Sequence, residues 1–161
     1  QNEWQQWVAQ HAGKFLLFAR QKTRCEADAQ DLVQEAMVEA AQRLGNGRPP
    51  APALVFATIH RRAIDLARRD DRRAGRELAA SDAAPGAWFD ASIEDREMAQ
   101  IIQSAMNKLP EPYREVITLK IWGGLTFAEI ADSLAIPANT AASRYRYGLA
   151  ELRKLTKQVL V

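Results

Sequence analysis

An all-α fold, made of two small helical domains joined by a linker with a helix-turn-helix in the second, is what this sequence predicts. Three observations carry that expectation. Ala, Leu, Arg, Gln and Glu dominate, and no stretch alternates apolar and polar residues for long enough to make a strand. Apolar residues recur at helical spacing in several segments. Gly and Pro gather at "GNGRPPAP" (45–52), at "APGA" (84–87), and at "LPEP" (109–112) with "GG" (123–124), which are natural breaks between helices.

The first helix is expected from about Glu3 to Thr23, with Trp7, Phe15, Leu16 and Phe18 among its apolar residues. The second, about Ala27 to Leu44, has an apolar stripe of Leu32, Val33, Ala36, Met37, Ala40 and Leu44. A third follows the prolines and runs through "ALVFATIHRRAIDLARRDDRRAGRE", with Leu54, Val55, Thr58, Ile59, Ala63 and Leu66 as its buried side. These three form a first domain, residues 1–78. Residues 79–92 have small and acidic residues with weak periodicity and read as a linker, in which Trp88 and Phe89 are suited to packing on a flanking domain. The second domain, 93–161, opens with Ser92 and Asp95 at the spacing of an N-cap and its N3 acid.

Within that second domain, Gly123 and Gly124 end a helix carrying Tyr113, Val116, Ile117 and Ile121. Thr126 and Glu129 make a T-x-x-E capping box for the next helix, and Leu125 and Ile130 occupy the positions of a hydrophobic staple. Phe127, Ile130, Ala131 and Leu134 give that helix its inward face. Ala135 stands in the turn where Gly or Asn is favoured, because such turns need a positive φ. The last helix starts after Ile136, with Pro137 tolerated in its first turn. On a helical wheel Ala141, Tyr145, Gly148 or Leu149, and Leu152 point inward. Asn139, Ala142, Ser143, Arg146 and Tyr147 point outward, with Thr140 and Arg144 at the edges. Short polar side chains with Arg suit a helix in a DNA major groove, where Arg and Asn read base edges and Ser and Thr reach bases or phosphates. The competing reading is an ordinary solvated helix.

The net charge of +2 conceals segregation. Residues 48–76 carry eight basic and three acidic groups, a net of +5, whereas residues 77–119 carry three and eight, a net of −5. Blocks of opposite sign suggest more than one charged partner surface. On the second helix Asp28, Asp31, Glu35 and Glu39 share one side, with no Lys or Arg between Glu26 and Gln42. Carboxylates repel phosphates, so this face suits a basic protein partner or plain solvent. The following helix is opposite in character. His60, Arg61, Arg62, Arg68, Arg69, Arg72, Arg73 and Arg76 form a strip able to track a nucleic-acid backbone. No apolar run approaches the roughly 20 residues that cross a bilayer, and "QNEWQQWVAQ" does not read as a signal peptide. Cys25 is the one cysteine, which points to a reducing cytoplasm.

Taken together, "DAQDLVQEAMVEAAQRL", "LVFATIHRRAIDLARRDDRR" and "LPEPYREVITLKIWGGLTFAEIADSLAIPANTAASRYRYGLAELRKL" resemble the bacterial extracytoplasmic-function (ECF) sigma factors over nearly the whole chain outside the linker. The resemblance implies sigma-2 and sigma-4 domains with no sigma-3 between them, and a protein that binds core RNA polymerase and directs it to promoter DNA. It implies that Asp28, Asp31, Gln34 and Glu35 dock on the clamp helices of the polymerase's largest subunit. The helix with His60, Arg61, Arg62, Arg68, Arg69, Arg72 and Arg73 would meet and open the −10 element. Asn139, Thr140, Ser143, Arg144, Arg146 and Tyr147 would belong to the −35 reader, and the acidic linker would thread toward the polymerase active site. An anti-sigma factor is a further partner that the resemblance leaves open. The chain departs from the pattern at Leu54, where many relatives have Trp, and at Ala141 and Ala142, where they have Val and a basic residue. It departs also at loop 45–52, which is short and holds no aromatic residue, although relatives use this loop to capture an unstacked −10 base.

A helix-turn-helix regulator outside the sigma class is the alternative, and it leaves the acidic helix and the Arg strip unexplained. A structural helical adaptor ranks behind both. His11, His60 and Cys25 show neither metal-ligand spacing nor a nucleophile–base pairing, so no enzyme activity, metal or cofactor is expected.

Overall fold

The computed structural model describes the backbone of residues 2–74 and 96–160, and the side chains of residues 2–70 and 96–158. The linker 79–92, its Trp88 and Phe89, the Ser92–Asp95 pairing and Arg76 lie outside the described residues. The chain divides into two compact units, Gln1–Gly86 and Ala87–Val161. Seven helices and no strand occur among the described residues: α1 Asn2–Arg20, α2 Glu26–Leu44, α3 Pro52–Ala74, α4 Arg96–Lys108, α5 Glu111–Ile121, α6 Phe127–Leu134 and α7 Ala138–Leu160.

In the first unit α1, α2 and α3 each pack on the other two. Phe15 and Phe18 of α1 meet Phe56 of α3 edge to face, with ring centroids 5.0 and 5.7 Å apart, and all three rings are fully buried. Each such ring contributes about 1.5–3 kcal/mol by leaving water, and the edge-to-face geometry adds to that. Leu32, Val33, Ala36 and Ala40 of α2 and Val55, Ile59 and Ala63 of α3 complete the core. Thr58 is tolerated there because its hydroxyl donates to the Leu54 carbonyl at 2.8 Å.

The structure departs from three expectations of the sequence. The first helix stops at Arg20 rather than Thr23. The Thr23 hydroxyl donates back to the Ala19 carbonyl, and Arg20 grips Glu26 through two 2.8 Å contacts, which reverses the chain into α2. Leu44 is 42% exposed, because Gly45 at φ 68° turns the chain away just beyond it. Gly45 donates its N–H to the Ala41 carbonyl, a left-handed helix terminus that glycine adopts without strain. Phe56, absent from the anticipated buried side of α3, is central to the core, while Leu54 and Leu66 are only half-buried.

In the second unit α7 packs against α4, α5 and α6. Ala105, Met106, Leu109, Val116, Ile117, Leu119, Leu125, Ile130, Leu134 and Ala141 are buried, whereas Ile121 is 47% exposed. The α5–α7 crossing is close at Gly148. A methyl group built there would stand 2.8 Å from Ile117 Cδ1 and 3.1 Å from Tyr113 Cβ. Glycine is what allows α7 to lie so near α5 while its opposite side stays free.

Candidate nucleic-acid and protein interfaces

The α6–turn–α7 segment is specified locally. Glu129 donates its backbone N–H to Thr126 Oγ1 at 3.1 Å, and the Glu129 carboxylate accepts from the Thr126 N–H at 3.0 Å, a complete capping box. Leu125 and Ile130 are both buried, as a staple requires. Ala135 sits at φ 56° and ψ 48°, the one non-glycine residue with positive φ among the described residues. That conformation costs an L-residue about 1 kcal/mol, and it lets Ile136 donate to the Ala131 carbonyl at 3.0 Å.

Packing then fixes which side of α7 is free. Ala141 and Gly148 are buried, and Tyr145 meets Phe127 edge to face at 5.6 Å. Lys120 covers the same Phe127 ring at 4.5 Å. On the other side Asn139, Arg146 and Tyr147 are exposed, while Thr140, Ala142, Ser143 and Arg144 are half-buried. Arg146 lies 5.1 Å from the centre of the Tyr147 ring, a cation–π contact that presents the guanidinium at the surface. All six candidate DNA-contacting residues of the last helix thus share one continuous helix, with Asn139, Ser143 and Arg146 following one another at helical spacing.

The first unit arranges its charges differently from what the sequence suggested. Glu35 and Glu39 do not simply face a partner or solvent. Arg62 bonds Glu35 at 2.9 Å and Glu39 at 3.1 Å, and Arg61 pairs with Glu39 as well. The C-terminal half of the acidic stripe, Glu35 and Glu39, and the N-terminal part of the basic strip, Arg61 and Arg62, therefore neutralise one another across the helix pair. Asp28, Asp31 and Gln34 are exposed on α2, and Arg68 and Arg69 are exposed on α3. His60 is half-buried, next to the exposed Arg61 on α3. The side chains of Arg72 and Arg73 lie outside the described residues.

Asp28, Asp31 and Glu35 line a groove of about 350 Å³ that also takes in Lys22 and Arg24 from the α1–α2 turn and Asp70 from α3, with Leu32 beneath. Asp70 was not anticipated as a site residue. It stands inside an Arg-rich run, and only the α2–α3 packing brings it opposite the α2 acids. At the same end of α2, the Arg20 guanidinium bonded to Glu26 holds that carboxyl below the usual glutamate range. Among the described residues no cluster of His, Cys, Asp and Glu could hold a metal ion, and no helix is long and apolar enough to cross a membrane.

A three-helix unit with an acidic groove and basic residues, followed by a unit ending in a helix-turn-helix, defines a two-unit all-helical architecture. Comparison with known proteins places it further. The family model for sigma-70 region 2 matches residues 7–73, and that for sigma-70 region 4 matches residues 99–152. The ECF RNA polymerase sigma factor SigL of Mycobacterium tuberculosis is 30% identical over 159 residues, covering 94% of this chain and 86% of SigL. The ECF sigma factor SigE of Mycolicibacterium smegmatis is 28% identical over 159 residues, or 93% of this chain. The chain spans 60% of the length of SigE and 58% of that of a second relative, SigK of Mycobacterium ulcerans. The chain belongs to the ECF group of the sigma-70 family. The fold is shared with the sigma factor RpoE in its co-crystal structure with the anti-sigma factor NepR from Bartonella quintana. That similarity has a TM-score of 0.73 over 98% of both chains, at 19% identity.

Proposed function

We propose that this chain is a sigma factor that binds core RNA polymerase and directs it to promoters through two DNA contacts. The observation that carries the reading is the outward side of α7, with Asn139 and Arg146 exposed and Ser143 half-buried between them, held out by a complete capping box and a close α5–α7 crossing. On this reading α7 enters the major groove of the −35 element, where Arg and Asn find base-edge partners. Asn139, Thr140, Ser143, Arg144, Arg146 and Tyr147 make that contact. Asp28, Asp31, Gln34 and Glu35 receive a basic element of the polymerase, and the groove they share with Asp70 favours a cationic partner with an apolar side chain over Leu32. His60, Arg61, Arg62, Arg68, Arg69, Arg72 and Arg73 meet the −10 region. Residues 79–92 link the two domains, 1–78 and 93–161.

Sigma factors act by binding and positioning, so no catalytic step is assigned to the chain. An anti-sigma factor is a partner on the same reading, because RpoE of the shared fold was crystallised with one. A helix-turn-helix regulator of another class would leave the groove on α2 unused. The test is to add the chain to core RNA polymerase with fragmented bacterial DNA and sequence the transcripts. Start sites sharing two short motifs at constant spacing are expected, and transcripts identical to those of core enzyme alone would reject the reading.

A further inference from the structure

Loop 45–50 holds no aromatic side chain, yet the structure brings one to it from 43 residues away. Trp4, in the first turn of α1, donates its indole Nε1–H to the Gly47 carbonyl at 2.9 Å. Its ring packs edge to face on Trp7 at 5.6 Å, and Trp7 in turn lies 5.5 Å from the buried Phe15. Trp4 is therefore braced against the core of the first unit while remaining half-buried rather than covered.

The surface around it has an unusual composition for a mere loop anchor. Every residue from Gln42 to Arg48 is exposed. Gly45 and Gly47 both have positive φ, and a methyl group on Gly47 would meet nothing within 4 Å, so the backbone there is open to an incoming group. The Asn46 side chain accepts the Arg48 N–H at 2.9 Å, which sets the turn and leaves the Arg48 guanidinium exposed beside it. No acidic residue lies between Glu39 and Asp65 in the sequence, and the exposed Glu3 beside Trp4 is the acid in the first turn of α1. A half-buried indole bonded to a glycine loop that also carries an exposed Arg holds the elements of a single-stranded nucleic-acid platform, in which an aromatic ring takes a base and a cation takes the neighbouring phosphate.

We propose that Trp4 stacks on one unpaired base of the melted promoter strand, with loop 45–50 held against it as the side wall and Arg48 on the adjoining phosphate. The aromatic group for base capture thus comes from α1 and not from the loop. This rests on the reading of the first unit as the −10 contact.

The experiment separates the two. Core polymerase with the unaltered chain first selects a promoter from a library randomised at both elements. If nothing is selected, the functional reading fails and the proposal with it. On the selected promoter, single abasic sites are then placed in turn through the non-template strand of the −10 element. Stacking of this kind makes the unaltered holoenzyme lose about tenfold in binding at one position. Trp4→Ala is expected to lose a similar factor on the intact promoter and nothing more when that base is removed. Trp4→Phe, which keeps a ring but has no N–H for Gly47, retains part of the dependence and guards against a folding defect. If Trp4→Ala weakens every template equally while the abasic penalty persists, the indole only braces the loop and the proposal is overturned. An unaltered holoenzyme with no abasic penalty at any position overturns it as well.

Discussion

The two units treat their charged helix faces in opposite ways. On α7 the polar face is backed by Ala141 and Gly148 and turned outward, where Arg146 lies over the neighbouring Tyr147 ring. On α2 and α3 the acidic and basic faces meet, and Arg61 and Arg62 are engaged by Glu35 and Glu39. A charged stripe predicts a binding surface when the helix is the outermost layer. Where two helices of opposite charge lie side by side, the same stripes close on each other first. On the proposed function, the first unit exchanges the Glu35–Arg62 and Glu39–Arg61/Arg62 pairs for intermolecular ones when it binds, whereas the outward face of α7 has no such ion pair to break among the described residues.

That contrast can be broken most severely at the α5–α7 crossing. Gly148→Val places branched carbon within 3 Å of Ile117 and should cost about 3 kcal/mol by overpacking, read as an earlier urea transition of the second unit alone. It should abolish −35 recognition while binding to core polymerase through the first unit persists.

The outward face itself is tested by Arg146→Ala, expected to weaken binding to the best −35 site by about 1–3 kcal/mol and to flatten discrimination at one or two base positions. Arg144 is half-buried at the edge of the same face, and Arg144→Ala should weaken all sequences alike and lower the salt slope by about one. A randomised −35 library bound by the holoenzyme reads both. Unchanged preference in Arg146→Ala would mean that α7 presents another side.

A gain rather than a loss is expected at the turn between α6 and α7. Ala135→Gly removes the strain of a positive φ and should stabilise the second unit by about 1 kcal/mol in urea unfolding. Sequence preference should stay the same, because the face of α7 is set by packing and not by this side chain.

In the first unit, Glu39→Gln removes the carboxylate shared by Arg61 and Arg62. These pairs are partly exposed and each contributes no more than about 1 kcal/mol, so the fold should survive with little change in melting temperature. The released guanidinium groups should raise the affinity of the chain for non-specific DNA, by up to about fivefold at low salt. No change in that affinity would mean that the α2 acids do not mask the basic strip.

The smallest effect is on pH dependence. His11 lies between Trp7 and Phe15, and burial, aided by Lys14, lowers its pKa below the ordinary value. The folded state then takes up a proton less readily than the unfolded chain. Stability contributed by neutral His11 is complete above the ordinary histidine range and is lost as pH falls below it. Glu26, held low by Arg20, acts in the same direction further into acid, below the usual glutamate range. His11→Phe should flatten the first of these losses in thermal melts between about pH 7 and pH 5, around the ordinary histidine pKa. A Glu26→Gln chain should keep it.

The order of residues alone settles the part of the fold built from near neighbours along the chain. The Thr126–Glu129 capping box, the buried Leu125 and Ile130, the strained turn at Ala135 and the outward Asn139–Arg146 face follow from contacts three or four residues apart and from helical period. The all-helical class and the region-2 and region-4 resemblance were legible for the same reason. Tertiary structure decided everything that depends on which helix faces meet. The Glu–Arg pairs span 22 to 27 residues, and Trp4 reaches Gly47 across 43. Phe56 became core, Leu44 became surface, and Asp70 crossed to the acidic groove through the same choice. A helix can present any side to its neighbour at little local cost. Its rotation and register are settled only when ridges of one helix pack into grooves of another, and the long-range pairs follow from that packing.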